Sequence, residues 1–430
     1  MSARVFIVDG SRTPFLKARN EPGPFSAADL AVMAGRALLA RQSFRAEDLD
    51  EVILGCVIAA PDEANIARIV GLRLGTGPTV PAFTVQRNCA SGLQAIASAF
   101  DRISSGRAHL VLAGGTEAMS RAPIQWNIAM SRWLARFSRA KNVEQRLRSL
   151  ADFRLSHLKP VFSLLLGLSD PVVGLSMGQT AEIIAHRFAI GRLAQDSYAL
   201  QSHQRLARAQ EAGILRSEIE TIYESSGKFH AEDDGVRPDT TLEKLAQLKP
   251  VFDRHYGTVT SGNSSQITDG AALLVLASEA MVKRERLPVL GEILDHAWAG
   301  VDPAQMGLGP VHATAKLLTA HKLSLNDMAQ VELNEAFCAQ VLACQAAFAS
   351  ADYAREELAL DAPLGAIDPA RLNPQGGAVA LGHPVGATGA RLVLHLARSL
   401  QTQPGALGLA TLCIGGGQGG AMLVRAGGQV

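Results

Sequence analysis

The stretch Ala46-Glu-Asp-Leu-Asp-Glu-Val-Ile-Leu-Gly55 has a counterpart far along the chain, Leu325-Asn-Asp-Met-Ala-Gln-Val-Glu-Leu-Asn334. Aspartate, valine and leucine recur at the same spacing in both stretches, and each has the pattern of a helix end that runs into a short buried strand. Self-similarity of this kind indicates a duplicated structural unit. A chance resemblance between two short α/β segments is the alternative that these residues leave open.

The predicted helices, strands and glycine turns that follow the two stretches come in the same order. Cys89-Ala-Ser-Gly92 opens a small-residue helix that leads to a strand at 109–113 and then to Gly114-Gly115. His383-Pro-Val-Gly386 opens a second helix, which leads to the strand before Cys413-Ile-Gly-Gly-Gly-Gln418. Two related halves are therefore predicted, with Cys89 and His383 at matching positions.

Apolar runs and helical patterns alternate along the whole chain of 430 residues. Strands are predicted at residues 5–8, 51–57, 109–113, 329–333 and 406–412. Short runs rich in Val, Ile and Leu between longer Ala/Leu-rich helices are typical of α/β proteins with buried strands. A chain of this length can bury a sizeable core in two or three domains.

The overall charge is nearly neutral, with 41 Lys and Arg against 40 Asp and Glu, which argues against an extended nucleic-acid surface. The five cysteines are scattered, odd in number and without the paired spacing of a metal site, so a reducing compartment and no metal centre are expected. The first residues lack a signal peptide's apolar run, and no window reaches the ~18 apolar residues of a membrane span. We expect a cytoplasmic protein, with a peripheral position at a membrane as the alternative.

The region between the two halves, residues 120–258, has a different character. Residues 121–160 hold nine Lys and Arg against two acidic residues. Large apolar residues recur at helical spacing opposite the arginines, namely Trp126, Met130, Trp133, Leu134 and Phe137. This pattern predicts a basic amphipathic helix within 121–170 that binds an anionic membrane or a partner subunit. A helix docked on its own domain, with solvated arginines, is the other interpretation.

Three segments carry residues suited to catalysis. Cys89 lies at the predicted start of a helix, where free N–H groups and the helix dipole favour a thiolate, although most free cysteines are inert. His383 lies in a glycine-dense segment and offers a base with a pKa near neutrality. Cys413 precedes a run of glycine amides that can form an oxyanion hole.

Together these segments resemble the active-site blocks of the thiolase family, in the family's order and spacing. The four blocks are Asn88-Cys-Ala-Ser-Gly92, Asn334-Glu-Ala-Phe337, Gly382-His-Pro-Val-Gly386 and Cys413-Ile-Gly-Gly-Gly417. Further similarity at residues 8–15, 114–119 and 256–265 extends the resemblance over essentially the whole chain. The resemblance implies an α/β thiolase fold, in which two duplicated halves are stacked as five layers, α-β-α-β-α, with an inserted loop domain.

The resemblance also implies the domain limits. The first half spans residues 1–119 and is completed by about 259–285, the loop domain spans 120–258, and the second half spans 286–430. No permanently bound cofactor is implied, and coenzyme A is expected as a substrate.

The family's reaction is a ping-pong transfer between CoA thioesters. It implies that Cys89 attacks the keto carbon of a 3-ketoacyl-CoA, that acetyl-CoA leaves, and that a second CoA thiol collects the shortened acyl group. His383 would activate Cys89 and deprotonate the incoming CoA thiol, and Cys413 would exchange the proton with the α-carbon of acetyl-CoA. Asn334 would hold a water that, with His383, stabilises the enolate-like oxygen. The N–H groups of Cys89 and Gly415 would stabilise the oxyanion on the acyl group.

The same resemblance implies contacts with coenzyme A. Ser265 and Met177 match positions along the pantetheine arm, Phe337 is a further expected contact, and Arg237 matches a cation near the adenine nucleotide. One departure lies close by, because Ser176 precedes Met177 where many thiolases have a histidine.

The long basic insert is similar to that of the thiolase (β) subunit of the fatty-acid-oxidation trifunctional complex. Members of that subgroup usually have His-Glu-Ala-Phe where this chain has Asn334-Glu-Ala-Phe337. The resemblance implies a degradative 3-ketoacyl-CoA thiolase that forms a homodimer or a dimer of dimers. A hydratase/dehydrogenase partner subunit or a membrane surface is the expected partner of residues 121–170. The alternatives are an acetoacetyl-CoA thiolase that condenses two acetyl-CoA, and a non-catalytic lipid carrier or scaffold of the same fold.

Overall fold

The computed structural model describes residues 3–19 and 21–427. Its strands are β1 (Val5–Arg12), β2 (Leu16–Lys17), β3 (Glu51–Gly55), β4 (Ala82–Val85), β5 (Leu110–Ala118), β6 (Ile124–Trp126), β7 (Pro160–Phe162), β8 (Ile222–Tyr223), β9 (Phe229–His230), β10 (Thr268–Ser278), β11 (Gly291–Gly300), β12 (Met328–Leu333), β13 (Leu407–Ile414) and β14 (Gln418–Ala426). Each strand predicted from the sequence overlaps one of these strands.

The α-helices of the same residues are α1 (Ala27–Ala40), α2 (Ile66–Arg73), α3 (Ser91–Ser104), α4 (Ile128–Arg139), α5 (Val143–Ala151), α6 (Ser163–Gly167), α7 (Met177–Arg187), α8 (Arg192–Glu211), α9 (Leu242–Ala246), α10 (Glu279–Glu285), α11 (Gly309–His321), α12 (Cys338–Ala349), α13 (Ala351–Glu357), α14 (Ala378–Leu381) and α15 (Val385–Ser399). Single 3-10 turns lie at Ala46–Asp48, Pro61–Glu63, Met119–Arg121, Leu155–Leu158, Ile214–Ser217, Pro303–Leu308, Leu325–Asp327 and Leu400–Thr402. Among these described residues, no helix combines the length and the apolar character needed to cross a bilayer.

The duplication is visible in the order of the strands. Within the described residues ten strands form one sheet, whose main path runs β12-β13-β14-β11-β1-β10-β5-β3-β4. The series β3-β5-β10-β1 of the first half matches β12-β13-β14-β11 of the second, because in both the first pair is parallel and the next two pairs are antiparallel. The 3-10 turns Ala46–Asp48 and Leu325–Asp327 each lead into the first strand of their series. The predicted duplication is confirmed.

Five layers result from this arrangement. Helices α3 and α15 pack against each other in the middle, where α15 contacts β5 and β10 on one side and β13 and β14 on the other. Helices α1 and α2 cover the outer face of the first half, and α11 covers the outer face of the second. Three residue pairs between β1 and β11 link the two halves.

Strand β1 shows why the strands are apolar on both faces. Val5 and Ile7 belong to the central core around α3 and α15, whereas Phe6 and Val8 belong to the outer core beneath α1. A strand covered by helices on both sides cannot alternate between apolar and polar residues, so it is a continuous apolar run in the sequence.

The insert leaves the sheet after β5 and returns at β10, where Ala118 pairs with Asp269. Its basic part contains two helices that pack together, α4 and α5. Trp133 of α4 is buried, stacks on Phe137 with ring centroids 5.2 Å apart, and donates its indole N–H to the carbonyl of Ser149. The basic amphipathic helix is thus docked, in part, on its own domain.

The sequence pattern places Trp126 on the same helix as Trp133, and this prediction is wrong. Asn127 adopts an extended backbone, and its side chain accepts a hydrogen bond from the N–H of Met130, so α4 begins only at Ile128. Trp126 therefore ends strand β6 and is 53 % exposed.

A buried ion cluster fixes the later part of the insert to the first half. Arg12 of β1 is fully buried and pairs with Glu218 at 2.8 Å and with Asp233 at 2.7 Å. On the other side of Glu218, His395 of α15 forms a contact of 2.9 Å. One guanidinium thus joins a strand of the first half to two acidic residues of the insert. The exact domain limits stay predictions.

Candidate active site

The two central helices place Cys89 and His383 at matching points. Cys89 lies two residues before α3, and His383 lies two residues before α15. The helix starts approach closely, because a Cβ atom at Gly92 would lie only 2.8 Å from the carbonyl oxygen of Gly386. A Cβ at Gly115 would lie 1.9 Å from the same oxygen. The glycine density of these segments is therefore needed for contact between backbones.

Glu117 of β5 holds this junction together. Its carboxylate accepts hydrogen bonds from the N–H groups of Val57 at 2.9 Å, Ile58 at 3.0 Å and Gly386 at 3.1 Å. Burial raises the pKa of Glu117 to about 7. One carboxyl group thus ties the loop after β3 to the start of α15. Sequence reasoning gave Glu117 no role, although it lies in the quoted block 114–119.

Cys89 is partly exposed and lies among backbone amides. Its sulfur accepts hydrogen bonds from the N–H groups of Gly415 and of Cys89 itself, and these lower the pKa of the thiol. Burial has the larger effect, so the pKa is raised overall. Asn88 fixes this geometry, because it adopts a positive φ of 43° and donates its side-chain N–H to the carbonyl of Gly415 at 2.7 Å. The predicted preference for a thiolate is therefore wrong for the resting protein, in which Cys89 is a neutral thiol.

Cys413 lies at the end of β13 and is buried beside Cys89. Only 1 % of the residue is exposed, and burial, with a further contribution from Cys89, raises its pKa well above the usual range. The hairpin that follows turns through Gly416 and Gly417, both of which have positive φ. Cys413 is thus held as a thiol that can donate a proton.

His383 is buried, and its two ring nitrogens have different partners. Nδ1 lies 2.7 Å from the hydroxyl oxygen of Thr388, which donates its hydrogen to the carbonyl of Pro384 at 3.0 Å. Because a threonine hydroxyl has only one hydrogen, Nδ1 is the donor to Thr388 and carries the ring proton. Nε2 is then an unprotonated acceptor, and the side-chain N–H₂ of Asn334 lies 3.5 Å from it.

The charge state of His383 differs from the predicted one. Burial, with a smaller contribution from Arg391, lowers the pKa of His383 to about 3. The expected pKa near neutrality is therefore wrong, because the ring is shielded from water. With the pKa of His383 lowered and that of Cys89 raised, both side chains are neutral in the resting protein.

Asn334 is fully buried, and its Oδ1 atom has no hydrogen-bond partner within the described part of the chain. The next residue, Glu335, accepts hydrogen bonds from the hydroxyls of Tyr198 and Ser202 in α8 and from the backbone N–H of Val379. These contacts fix the Asn334 segment to the insert and to the glycine-dense segment before His383. An unpaired buried carbonyl oxygen next to the imidazole of His383 is a ready acceptor for a small polar ligand.

Two cavities meet at these residues. A cavity of about 330 Å³ is lined by Cys89, Asn88 and Gly415, and by apolar residues that include Val57, Ile58, Met119, Leu164, Leu166 and Leu168. A second cavity, of about 380 Å³, is lined by His383, Ser265, Phe337, Ser176 and Leu165, among others. Met177 and Leu168 line both.

The structure brings most of the predicted site residues together. Cys89 and Gly415 line the first cavity, His383, Ser265 and Phe337 line the second, and Met177 begins α7 between them. Ser176, in place of the histidine of many thiolases, caps α7 by accepting from the N–H of Gln179.

Arg237 lines neither cavity. It is half-buried and donates its backbone N–H to His203. Its predicted contact with the adenine nucleotide stays a prediction.

The residues that sequence reasoning missed are Asn88, Glu117, Thr388 and the leucines of α6. For Asn88 the only available signal is its place inside a quoted block, and for Thr388 it is its position five residues after His383.

Comparison with known proteins agrees with this geometry. The family model of the thiolase N-terminal domain matches residues 5–280, and that of the thiolase C-terminal domain matches residues 287–426. The chain is 38% identical over 424 residues to the 3-ketoacyl-CoA thiolase of Yersinia enterocolitica, covering 98% of this chain and 97% of that protein. A 3-ketoacyl-CoA thiolase of Yersinia pestis matches at the same identity and coverage.

Solved structures show the same likeness. The crystal structure of human mitochondrial 3-ketoacyl-CoA thiolase superimposes with a TM-score of 0.84 at 37% identity, over 99% of both chains. A structure of that human enzyme in complex with CoA matches equally well, over 99% of this chain and 98% of that one. The acetyl-CoA acetyltransferase of Bacillus anthracis has a TM-score of 0.83 at 36% identity, over 99% of both chains. The chain belongs to the thiolase family.

Proposed function

We propose that the protein is a degradative 3-ketoacyl-CoA thiolase, which cleaves a 3-ketoacyl-CoA with coenzyme A into acetyl-CoA and a shortened acyl-CoA in fatty acid β-oxidation. The observation that carries the proposal is the convergence of Cys89, His383 and Cys413 at the contact between the two halves. The names of the similar proteins support it, since the Yersinia and human relatives are 3-ketoacyl-CoA thiolases.

In the first half-reaction, the sulfur of Cys89 attacks the keto carbon while its proton passes to Nε2 of His383. The oxygen that becomes negative is stabilised by the N–H groups of Cys89 and Gly415, and loss of one such donor typically costs about 10²–10³ in rate. The bond between the α-carbon and the keto carbon then breaks. Its electron pair stays on the leaving acetyl-CoA as an enolate, and Cys413 protonates the α-carbon.

The polar environment of His383 suits the enolate that forms at this step. The enolate-like thioester oxygen faces His383 and a water that Asn334 holds through its unpaired Oδ1. The proton on His383 then passes to the Cys413 thiolate, which returns both groups to their starting state. In the second half-reaction the thiol of coenzyme A gives its proton to His383 and attacks the acyl group on Cys89. The bond between Cys89 and the acyl group breaks, the shortened acyl-CoA leaves, and His383 returns the proton to the sulfur of Cys89. Coenzyme A enters as substrate through the cavity lined by Ser265, Met177 and Phe337.

The test is thiolysis of 3-ketoacyl-CoA of four, eight and sixteen carbons by the wild type and by Cys89→Ala. Removal of the nucleophile is expected to lower kcat by about 10⁴-fold or more. Cys344→Ala is the matched control, because this buried cysteine of α12 lies outside both cavities. A Cys89→Ala protein with wild-type activity would contradict the mechanism, and a wild type active on four carbons alone would favour an acetoacetyl-CoA thiolase.

The expected homodimer forms through β4. This strand is the last in the sheet, so one edge of its backbone has no neighbouring strand within the described residues. An edge of this kind pairs readily with a second chain. Sedimentation of the wild type should give twice the monomer mass. Ala82→Pro, which removes a backbone N–H on the edge of β4 that faces away from β3, should shift the protein towards monomer. A wild type that sediments as a monomer would contradict this.

The basic insert binds an anionic membrane surface. Ile124 and Phe162 pair across β6 and β7 and are 65% and 46% exposed, and Trp126 is exposed beside them. Arg132, Arg136 and Arg139 line a groove on the same insert. A segment that combines exposed apolar side chains with a row of arginines is typical of peripheral membrane binding. In the cell the protein is then cytoplasmic and attached at the membrane surface.

Co-sedimentation with vesicles of neutral and of anionic phospholipid tests this binding. Anionic vesicles should pellet the wild type at low salt, and binding should fall at high salt and in an Arg132→Ser, Arg136→Ser, Arg139→Ser variant. Absence from the pellet at low salt would contradict membrane binding. In that case the hydratase/dehydrogenase partner subunit is the surface to test next.

A further inference from the structure

The short helix α6 lies between the two active-site cavities. Leu164 and Leu166 line the cavity that contains Cys89, whereas Leu165 lines the cavity that contains His383. Adjacent side chains of one helical turn thus point to opposite sides. Helix α6 is therefore a partition between the two cavities.

The partition is held at both ends by backbone hydrogen bonds. The N–H of Ser163 donates to the carbonyl of Pro123, and the N–H of Met177 donates to the carbonyl of Leu168. Beyond the helix, the carboxylate of Asp170 accepts from the N–H groups of Val172 and Val173 and closes the connecting loop. The position of the leucines is thus fixed by the backbone, independently of their own packing.

The Cys89 cavity is larger than an acetyl group requires. Its volume of about 330 Å³ is within the range of about 300–1,000 Å³ that is typical of pockets for whole small-molecule ligands. An acetyl group on Cys89 would fill only a small part of it. The walls opposite Cys89 are the side chains of Val57, Ile58 and Met119, which suit a hydrocarbon chain.

From this geometry we infer that Leu164 and Leu166 determine the acyl chain length that the protein accepts, by forming the wall of an acyl chamber beside Cys89. The inference rests on the proposed thiolase function and goes further, because it assigns chain-length selection to two residues of the insert. The acyl group carried by Cys89 extends along the leucines, and acyl chains longer than four carbons are the preferred substrates. Each methylene that leaves water adds a factor of about four to binding.

The variant Leu166→Trp tests the wall. Leu166 is 61% exposed, so a larger side chain at this position does not disturb a packed core. We expect kcat/KM for the sixteen-carbon substrate to fall by about tenfold or more relative to the four-carbon substrate, since pockets distinguish one methylene by about 10-fold to 200-fold. Leu164→Ala, which removes bulk from the same wall, should shift the ratio towards longer chains.

Leu155→Trp is the matched control. Leu155 is an exposed leucine of the same insert, is 82% exposed, and lines neither cavity. Its substitution should leave the ratio between sixteen-carbon and four-carbon substrates unchanged.

The outcomes distinguish failure of the chain-length role of α6 from failure of the thiolase function. If the wild type cleaves all three substrates and Leu166→Trp leaves their ratio unchanged, the chain-length role of α6 is wrong and the thiolase function stands. A wild type that cleaves only the four-carbon substrate contradicts the inference that the Cys89 cavity holds long acyl chains. If the wild type cleaves none of the substrates, the thiolase function fails, and the assignment to Leu164 and Leu166 fails with it.

Discussion

Two regions of the molecule are built in opposite ways. One is the contact between α3 and α15, and the other is the basic part of the insert. At the helix contact, backbones meet at Gly92 and Gly386 with no room for a side chain, and the surrounding residues are fully buried. In the insert, large apolar residues such as Val143 and Leu155 are 72% and 82% exposed. The difference teaches that the residues proposed to carry the chemistry lie in a rigid, duplicated framework. The residues proposed to set substrate length and membrane attachment lie in a region with few packing constraints.

The largest expected effect comes from breaking the ion cluster that joins β1 of the duplicated framework to the later part of the insert. Arg12→Met leaves Glu218 and Asp233 buried without their cation, and removal of one partner from a buried ion pair costs about 3–5 kcal/mol of unfolding free energy. Urea unfolding measures this loss. The control is Arg19→Met, which removes a surface pair with Asp234 and should cost at most about 1 kcal/mol. Equal losses in the two variants would contradict the anchoring role.

Thr388→Val tests the framework at His383, the proposed catalytic base. The variant removes the acceptor of the His383 Nδ1–H and leaves a buried donor unpaired, which costs about 1–3 kcal/mol. If the same free energy is lost from the transition state, kcat should fall by about 10-fold to 100-fold, with little change in KM. Thr388→Ser keeps the hydroxyl and should restore most of the activity. A serine variant as slow as the valine variant would mean that packing of the methyl group, and not the hydrogen bond, is what matters.

The resting charge states predict how alkylation of Cys89 depends on pH. A thiol reacts as its thiolate, and burial raises the pKa of Cys89, so the thiolate fraction falls by about tenfold for each pH unit below that raised pKa. The rate of reaction with iodoacetamide should therefore still be rising at pH 9. Cys89→Ala gives the background from the other cysteines. A rate that levels off below pH 8 would show a pKa lowered by His383 or by the helix start.

The smallest effect is expected inside the insert. Trp133→Phe keeps the ring packing but removes the hydrogen bond to Ser149, which contributes about 1 kcal/mol. Cleavage by trypsin within 121–160 should become about fivefold faster, because this segment opens locally, while the thermal transition of the whole protein stays the same. Trp126→Phe, at an exposed tryptophan of β6, should not change the cleavage rate. Loss of global stability in Trp133→Phe would contradict the independence of the two regions.

The fold could be predicted from the sequence because duplication leaves a strong local signal. The stretches at 46–55 and 325–334 fold into matching turns and strands, and their neighbours Cys89 and His383 precede matching helices. Buried parallel strands are apolar throughout, so they are readily recognised. Trp126 was harder to place, because a single asparagine cap decides where α4 begins.

The residues proposed to react could be named from the sequence, but their ionisation could not. Cys89 and His383 are recognised from the blocks around them, whereas their pKa values depend on burial, which is a property of the packed molecule. The role of Thr388 likewise depends on the position of one hydrogen, set by the carbonyl of Pro384. The leucines of α6 carry no motif, and only their position between two cavities suggests a function.

The pairing of Ala118 with Asp269 has a consequence for engineering. Residues paired directly across antiparallel strands have Cα atoms about 4.5–5.5 Å apart, so the two ends of the insert meet almost as closely as the ends of a hairpin. The loop between them can then be exchanged for one of another length without stretching the sheet, because loop closure depends only weakly on length. A graft that keeps the acidic partners of Arg12 would transfer the insert from one enzyme of this fold to another as a unit.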